Sequence, residues 1–109
     1  MKEYKMKLRV MADVHSSGIW EIAPASSRER HIMLDYEELG LPQELADKFS
    51  EWIESYWKYF DDRKNFNFDT FNQTGKQVAK ELKTFLGNDY YVEFERETDP
   101  PTRNGEEIL

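Results

Sequence analysis

Leu45, Phe49, Trp52, Ile53, Tyr56, Trp57 and Phe60 fall at i, i+4, i+7, i+8, i+11, i+12 and i+15. At 100° per residue they occupy an arc of about 140° on a helical wheel, the mark of an amphipathic helix whose aromatic stripe needs a partner surface. A strand cannot hold this pattern, because a period of two would scatter the same residues over both faces. The spacing predicts a helix from about Pro42 to Asp61. Pro42 suits the first turn, where a missing N–H leaves nothing unpaired. The stripe reads as core rather than as a ligand slot, with Trp57, at the edge of the arc, expected to be partly exposed.

The period is different on either side. Met6, Leu8, Val10, Ala12 and Val14 alternate with Lys7, Arg9 and Asp13, which predicts a half-buried strand. Ser16-Ser17-Gly18 is a turn signal, and Ile19 to Ile22 reads as a second strand returning as a hairpin. Pro24 to Arg30 is a polar loop, and His31 to Tyr36 a short third strand. Beyond the first helix, Phe71, Gly75, Val78, Ala79, Leu82 and Leu86 make a second helical stripe. Asp69 is the expected N-cap, Phe68 a hydrophobic staple and Gly87 the stop. Tyr90, Val92 and Phe94 alternate with Tyr91, Glu93 and Glu95 in a last strand.

The order β-β-(β)-α-α-β segregates strands from helices. It predicts an α+β fold, an antiparallel sheet of three to four strands with two amphipathic helices packed on one face. Residues 1–97 form one domain in this reading. Residues 98–109, with Pro100-Pro101, Asn104-Gly105 and paired glutamates, form a flexible acidic C-terminal tail. A length of 109 residues excludes a TIM barrel or a full dinucleotide fold. Hydrophobic residues are only 39% of the chain, but 15% are aromatic, so a few large rings must carry the core. Met1-Lys2-Glu3-Tyr4-Lys5 leads into no long apolar run, so the expectation is no signal peptide, no membrane span and a cytoplasmic protein.

Net charge is −7, and it is unevenly placed. Residues 35–62 carry nine acidic and two basic side chains, and residues 88–109 seven acidic and two basic. The intervening residues 63–87 carry five basic and two acidic. On the first helix Glu44, Asp47, Glu51, Glu54, Asp61 and Asp62 fall in an arc of about 100° opposite the aromatic stripe, interrupted by Lys58. Like charges at i,i+3 and i,i+4 repel, so such a face detracts from helix stability. A solvated face normally mixes both signs, which makes this one a candidate docking surface for a basic protein. Phe66, in the polar run Asn65-Phe66-Asn67-Phe68 between the helices, is a candidate anchor; its other reading is a loop ring capping the sheet edge. Lys76, Lys80 and Lys83 form a small basic stripe, too slight for a nucleic-acid footprint on an anionic chain.

Chemistry-bearing motifs are sparse. With no cysteine, disulfides, thiolate nucleophiles and Cys-bound metals are excluded. Leu8 to Gly18, containing Asp13-Val14-His15, resembles the opening block of calcineurin-like metallophosphoesterases, where an Asp-x-His pair helps hold two metals. That family's later Gly-Asp and Gly-Asn-His blocks have no counterpart, and the only other histidine is His31. His31 and Asp35 fall short of a zinc ligand set. A small metal-dependent hydrolase using Asp13 and His15 is thus a minor alternative, and the main reading implies no metal, cofactor or catalytic residue.

A longer pattern covers about half the chain. It runs through Gly40-Leu41-Pro42, Phe49-x-x-Trp52-Ile53, Tyr56-Trp57, Phe68-Asp69-x-Phe71-Asn72-x-x-Gly75 and Leu82-Lys83-x-x-Leu86-Gly87. It resembles small acidic bacterial immunity proteins of polymorphic and contact-dependent inhibition toxin systems. The resemblance implies a non-catalytic inhibitor that binds a toxin domain. Acidic charge fits a basic, nuclease-like toxin, since carboxylates steer such a partner and stand where it expects phosphates. The partner expected is therefore a basic protein, not a nucleic acid or a membrane. An accessory protein that binds another protein or itself is the runner-up.

Overall fold

The computed structural model describes residues 4–22, 32–98 and 104–109. Among the described residues there are five strands: β1 (Met6–Val10), β2 (Ile19–Glu21), β3 (Ile32–Met33), β4 (Tyr90–Glu95) and β5 (Gly105–Glu107). Between β3 and β4 lie three helices, α1 (Gln43–Ser55), α2 (Trp57–Asp61) and α3 (Phe68–Leu86), with 3-10 turns at Glu37–Leu39 and Arg63–Asn65. The α+β class holds, and the sheet has the order β3-β2-β1-β4-β5.

Two expectations about the sheet are corrected. It is mixed rather than antiparallel, because β4 runs parallel to β1, with Leu8 opposite Val92 and Val10 opposite Phe94. A parallel neighbour requires a crossover connection, which the helices between β3 and β4 provide. Alternation along Tyr90–Glu95 is the same for either direction, so it could not distinguish the two. The second correction concerns the tail: residues 105–107 are a fifth strand, pairing antiparallel with β4 through Glu93–Glu107 and Glu95–Gly105. Without β5, β4 would present an unpaired row of backbone groups. Ile108 adds an apolar reason, being buried in the core with its N–H donating to the Val92 carbonyl at 2.8 Å. A Cβ on Gly105 would lie 1.5 Å from Glu93 Oε2, so the bare backbone there leaves room for the Glu93 carboxylate. The short third strand exists as Ile32–Met33, while His31 and the loop at 24–30 lie outside the described residues.

Alternation sorts the strands' faces. Leu8, Val10, Ile19, Val92 and Phe94 are buried in one cluster with Phe49, Trp52 and Ile53 of α1 and Phe71, Val78 and Leu82 of α3. The other face carries Arg9, whose guanidinium meets Glu93 at 2.9 Å and Glu95 at 3.4 Å, all three largely shielded from water. Trp52 is the pivot of the core. It is 2% exposed, stacks on Phe71 with ring centroids 5.2 Å apart, and donates its indole N–H to the Phe71 carbonyl at 3.1 Å. Gly75 makes this approach possible: a Cβ there would lie 2.6 Å from Trp52 Cζ2 and 2.7 Å from Phe94 Cε1.

The helix ends differ in detail from the sequence expectation. Pro42 sits at the N-cap of α1 with extended backbone, outside the first turn, and its carbonyl accepts the Ala46 N–H at 3.0 Å. Asn67, not Asp69, caps α3, its side chain accepting from the Thr70 N–H at 3.0 Å. Phe68 therefore opens the helix itself instead of preceding the cap, and Gly87 ends α3 as expected. The single long first helix is two, broken at Tyr56.

Candidate partner-binding site

The outer face of α1 is fixed by burying Leu45, Ala46, Phe49, Trp52 and Ile53 on the sheet side. That leaves Glu44, Asp47, Glu51 and Glu54 exposed, as the helical wheel requires. Their surroundings are not uniform. Lys48 lies 3.9 Å from Glu44 and 2.8 Å from Glu81 of α3, tying the two helices together. The hydrogen bond from its ammonium to Glu81, and the charge beside it, hold the Lys48 pKa above its ordinary value. Asp47 accepts from the Gln43 amide at 2.8 Å. Glu51 and Glu54 have no cation within 4 Å among the described residues.

A groove of about 660 Å³ runs along the seam of α1 and α3. Trp52, Phe71 and Val78 contribute its apolar lining, and Ser55, Thr74 and Gln77 its polar lining. Glu51 and Phe66 both line it, so two of the sequence-chosen residues are brought together here. Phe66 is half-buried, packed against Tyr59, Phe68 and Phe71 at 4.9 to 5.5 Å between ring centroids. Glu44 lies further along the seam, at a hollow shared with Lys80 and Phe85.

Asp61 and Asp62 lie beyond the break. The wheel that set them in line with Glu51 assumes an unbroken helix, and its phase does not carry across Tyr56. Asp62 has extended backbone and accepts from the Asn65 amide at 2.7 Å, while Asp61 is exposed. No glycine or proline marks the break. Ser55 supplies a local reason, because its hydroxyl donates to the Trp52 carbonyl at 2.6 Å in place of a helical N–H. The Tyr56 and Tyr59 N–H groups then bond three residues back, to Ile53 and Tyr56 carbonyls, each at 3.0 Å.

Breaking the helix at Tyr56 divides the aromatic stripe. Tyr56 stays buried, with its hydroxyl donating to Glu97 Oε1 at 2.8 Å. Glu97 is held in turn by Asn72, which bonds both the N–H and the carbonyl of residue 97 at 2.8 and 2.9 Å. Burial pushes the Glu97 carboxyl up, as it does the Tyr56 phenol, and the nearby Asp13 adds to both. Trp57 and Phe60, by contrast, are 40% and 56% exposed. Partial exposure of Trp57 agrees with its place at the edge of the arc, whereas Phe60 was expected in the core and is not there. His15, at the turn after β1, sets its ring edge-on to Trp57 at 5.2 Å.

The remaining motifs do not converge. Asp13 accepts from the Val14 N–H at 2.8 Å, and both it and His15 are exposed on the turn. Among the described residues no group of three or more His, Cys, Asp or Glu side chains is placed to hold a metal ion. Lys76 pairs with Glu106 at 2.6 Å and Lys83 donates to the Tyr90 carbonyl, so two of the three stripe lysines serve contacts within the chain. No helix among the described residues is long and apolar enough to cross a membrane.

The fold and this surface define a small α+β domain that offers its surroundings an acidic helix face, an inter-helix groove and two bare aromatic rings. The chain belongs to the Serratia CdiI immunity protein-like family, whose model matches residues 6–97, from β1 through the end of β4 and Glu97. It is thus matched to the immunity proteins of contact-dependent inhibition, which bind cognate toxin domains. β5 and Ile108 lie outside the matched span. No curated protein matches the chain.

Proposed function

We propose that the chain neutralises a basic, nuclease-like toxin domain by binding it through the outer face of α1, forming and breaking no covalent bonds. The observation that carries this reading is the exposed run Asp47, Glu51 and Glu54, on which no cation within 4 Å balances the charge among the described residues. Family membership supplies the toxin, and the charge supplies its sign. Glu44, Asp61 and Asp62 widen the field around that run. Phe66, at the groove wall, lies beside Glu51 as an apolar contact. The reading places the action in the cytoplasm. Exposed carboxylates of this kind raise the association rate more than they slow dissociation.

Neutralising Asp47, Glu51 and Glu54 together (D47N/E51Q/E54Q) is the test. Association with the purified cognate toxin domain should slow by about tenfold or more at low salt, with a shallower dependence of rate on ionic strength. An unchanged rate and salt slope would show that the acidic face is not the docking surface.

A further inference from the structure

The acidic face explains how a partner is drawn in, but exposed charges contribute little to holding it. Tight complexes rest on a few large side chains near the centre of the interface, most often Trp, Tyr or Arg. Trp57 and Phe60 have the required properties. On α2, Trp57, Phe60 and Asp61 fall within an arc of about 100°, and Lys58 and Tyr59 fall outside it.

Both rings are already held from behind. Trp57 is flanked by His15 at 5.2 Å and Phe60 at 6.1 Å, and Phe60 packs on Tyr56 at 5.4 Å and Tyr59 at 5.2 Å. Tyr59 is in turn engaged by Arg63, whose Nε lies 3.1 Å from its hydroxyl. His15 reaches Trp57 from a left-handed backbone conformation, φ 59°, which a non-glycine residue adopts at a cost of about 1 kcal/mol or more. Rings fixed in this way lose little freedom on binding, which favours affinity.

Charge names the occupant. Asp61 is exposed beside the rings with no cation within 4 Å among the described residues, and Glu54 lies at the near end of α1. A cation over an indole face is attracted by the ring, and a neighbouring carboxylate fixes its other side. We infer that Trp57 and Phe60 anchor the toxin domain by seating one of its arginine or lysine side chains, with Asp61 as the charge partner. This rests on the proposed inhibitory function and extends its surface from α1 onto α2.

Binding of the purified cognate toxin domain tests it. Trp57→Ala should weaken affinity about 30-fold or more, chiefly through faster dissociation, and Phe60→Ala about tenfold. Trp57→Phe should retain part of the affinity, since a smaller ring still faces the cation. Asp61→Asn should weaken binding at low salt and matter less at high salt. Far-UV circular dichroism and the unfolding midpoint confirm that each variant is folded. As a measurement independent of Trp57→Ala, 5-fluorotryptophan labelling should show the Trp57 fluorine resonance shifting on toxin addition. Binding by wild type with Trp57→Ala and Phe60→Ala within threefold of it, or an unmoved Trp57 resonance, overturns this inference. Failure of the wild-type chain to bind overturns the inhibitory reading beneath it.

Discussion

Gly75→Ala is the change that most directly tests how the helices are seated on the sheet. In an exposed helix the substitution stabilises by about 1 kcal/mol, because alanine has the higher helix propensity. Here the new Cβ would lie 2.6 Å from Trp52 Cζ2, 2.8 Å from Trp52 Cε2 and 2.7 Å from Phe94 Cε1. None of these is the loose end of a flexible chain: Trp52 is hydrogen-bonded to α3, and Phe94 is buried on β4 where that strand pairs with both β1 and β5. Overpacking two rigid rings stands at the upper end of its usual range, about 3 kcal/mol. The net effect is therefore destabilisation by about 2 kcal/mol, which lowers the melting temperature by roughly 10 °C in a domain of this size. Urea unfolding followed by circular dichroism measures it. The cycle with Trp52→Phe isolates the cause, because phenylalanine removes the indole atoms that block the Cβ. In that background Gly75→Ala should lose about half of its effect, a coupling of about 1 kcal/mol. A stabilised Gly75→Ala protein, or the same penalty with Phe at position 52, would refute the packing deduced here.

Two further outcomes bear on residues that the sequence pattern undervalued. The Glu97 carboxyl titrates above its usual value because it is partly buried, so its charge works against folding above the folded pKa, and that penalty is relieved as pH falls through it. Glu97→Gln should accordingly be at least as stable as wild type at pH 7, with the advantage disappearing as pH approaches the unfolded value of 4.5, as seen in unfolding midpoints against pH. Ile108→Ala should cost about 2–4 kcal/mol in chemical denaturation, comparable with a core residue elsewhere and far from the near-zero effect of a change in a frayed end.

The elements themselves were legible because hydrophobic periodicity is local. Val78, Ala79 and Leu82 read as one helical face, and they are buried together. Alternation in residues 6–10 and 90–95 likewise marked two strands. The exposure of Glu44, Asp47, Glu51 and Glu54 followed from the same wheel that buried Phe49 and Trp52. Phase was the weak point. Extrapolating it through Ser55 and Tyr56 put Phe60 inside and aligned Asp61 with Glu51, and one side-chain hydrogen bond at Ser55 is enough to end that alignment. The acid-lined helix was thus visible in sequence, whereas of the exposed rings beside it only Trp57 was marked, by its place at the edge of the arc.

What the sequence determined alone is the set of amphipathic segments and the sign of the charge that covers them, since both depend on residues a few positions apart. Only the tertiary structure decided that β4 lies parallel to β1, that the last residues close the sheet edge through Ile108, and that Glu97 meets Tyr56 and Asn72. These pairings join groups that are 16 to 84 positions apart, as in Val92 with Ile108 and Leu8 with Val92. Their energies depend on which edges and cavities remain after the helices have packed, a property of the assembled chain that no local window contains.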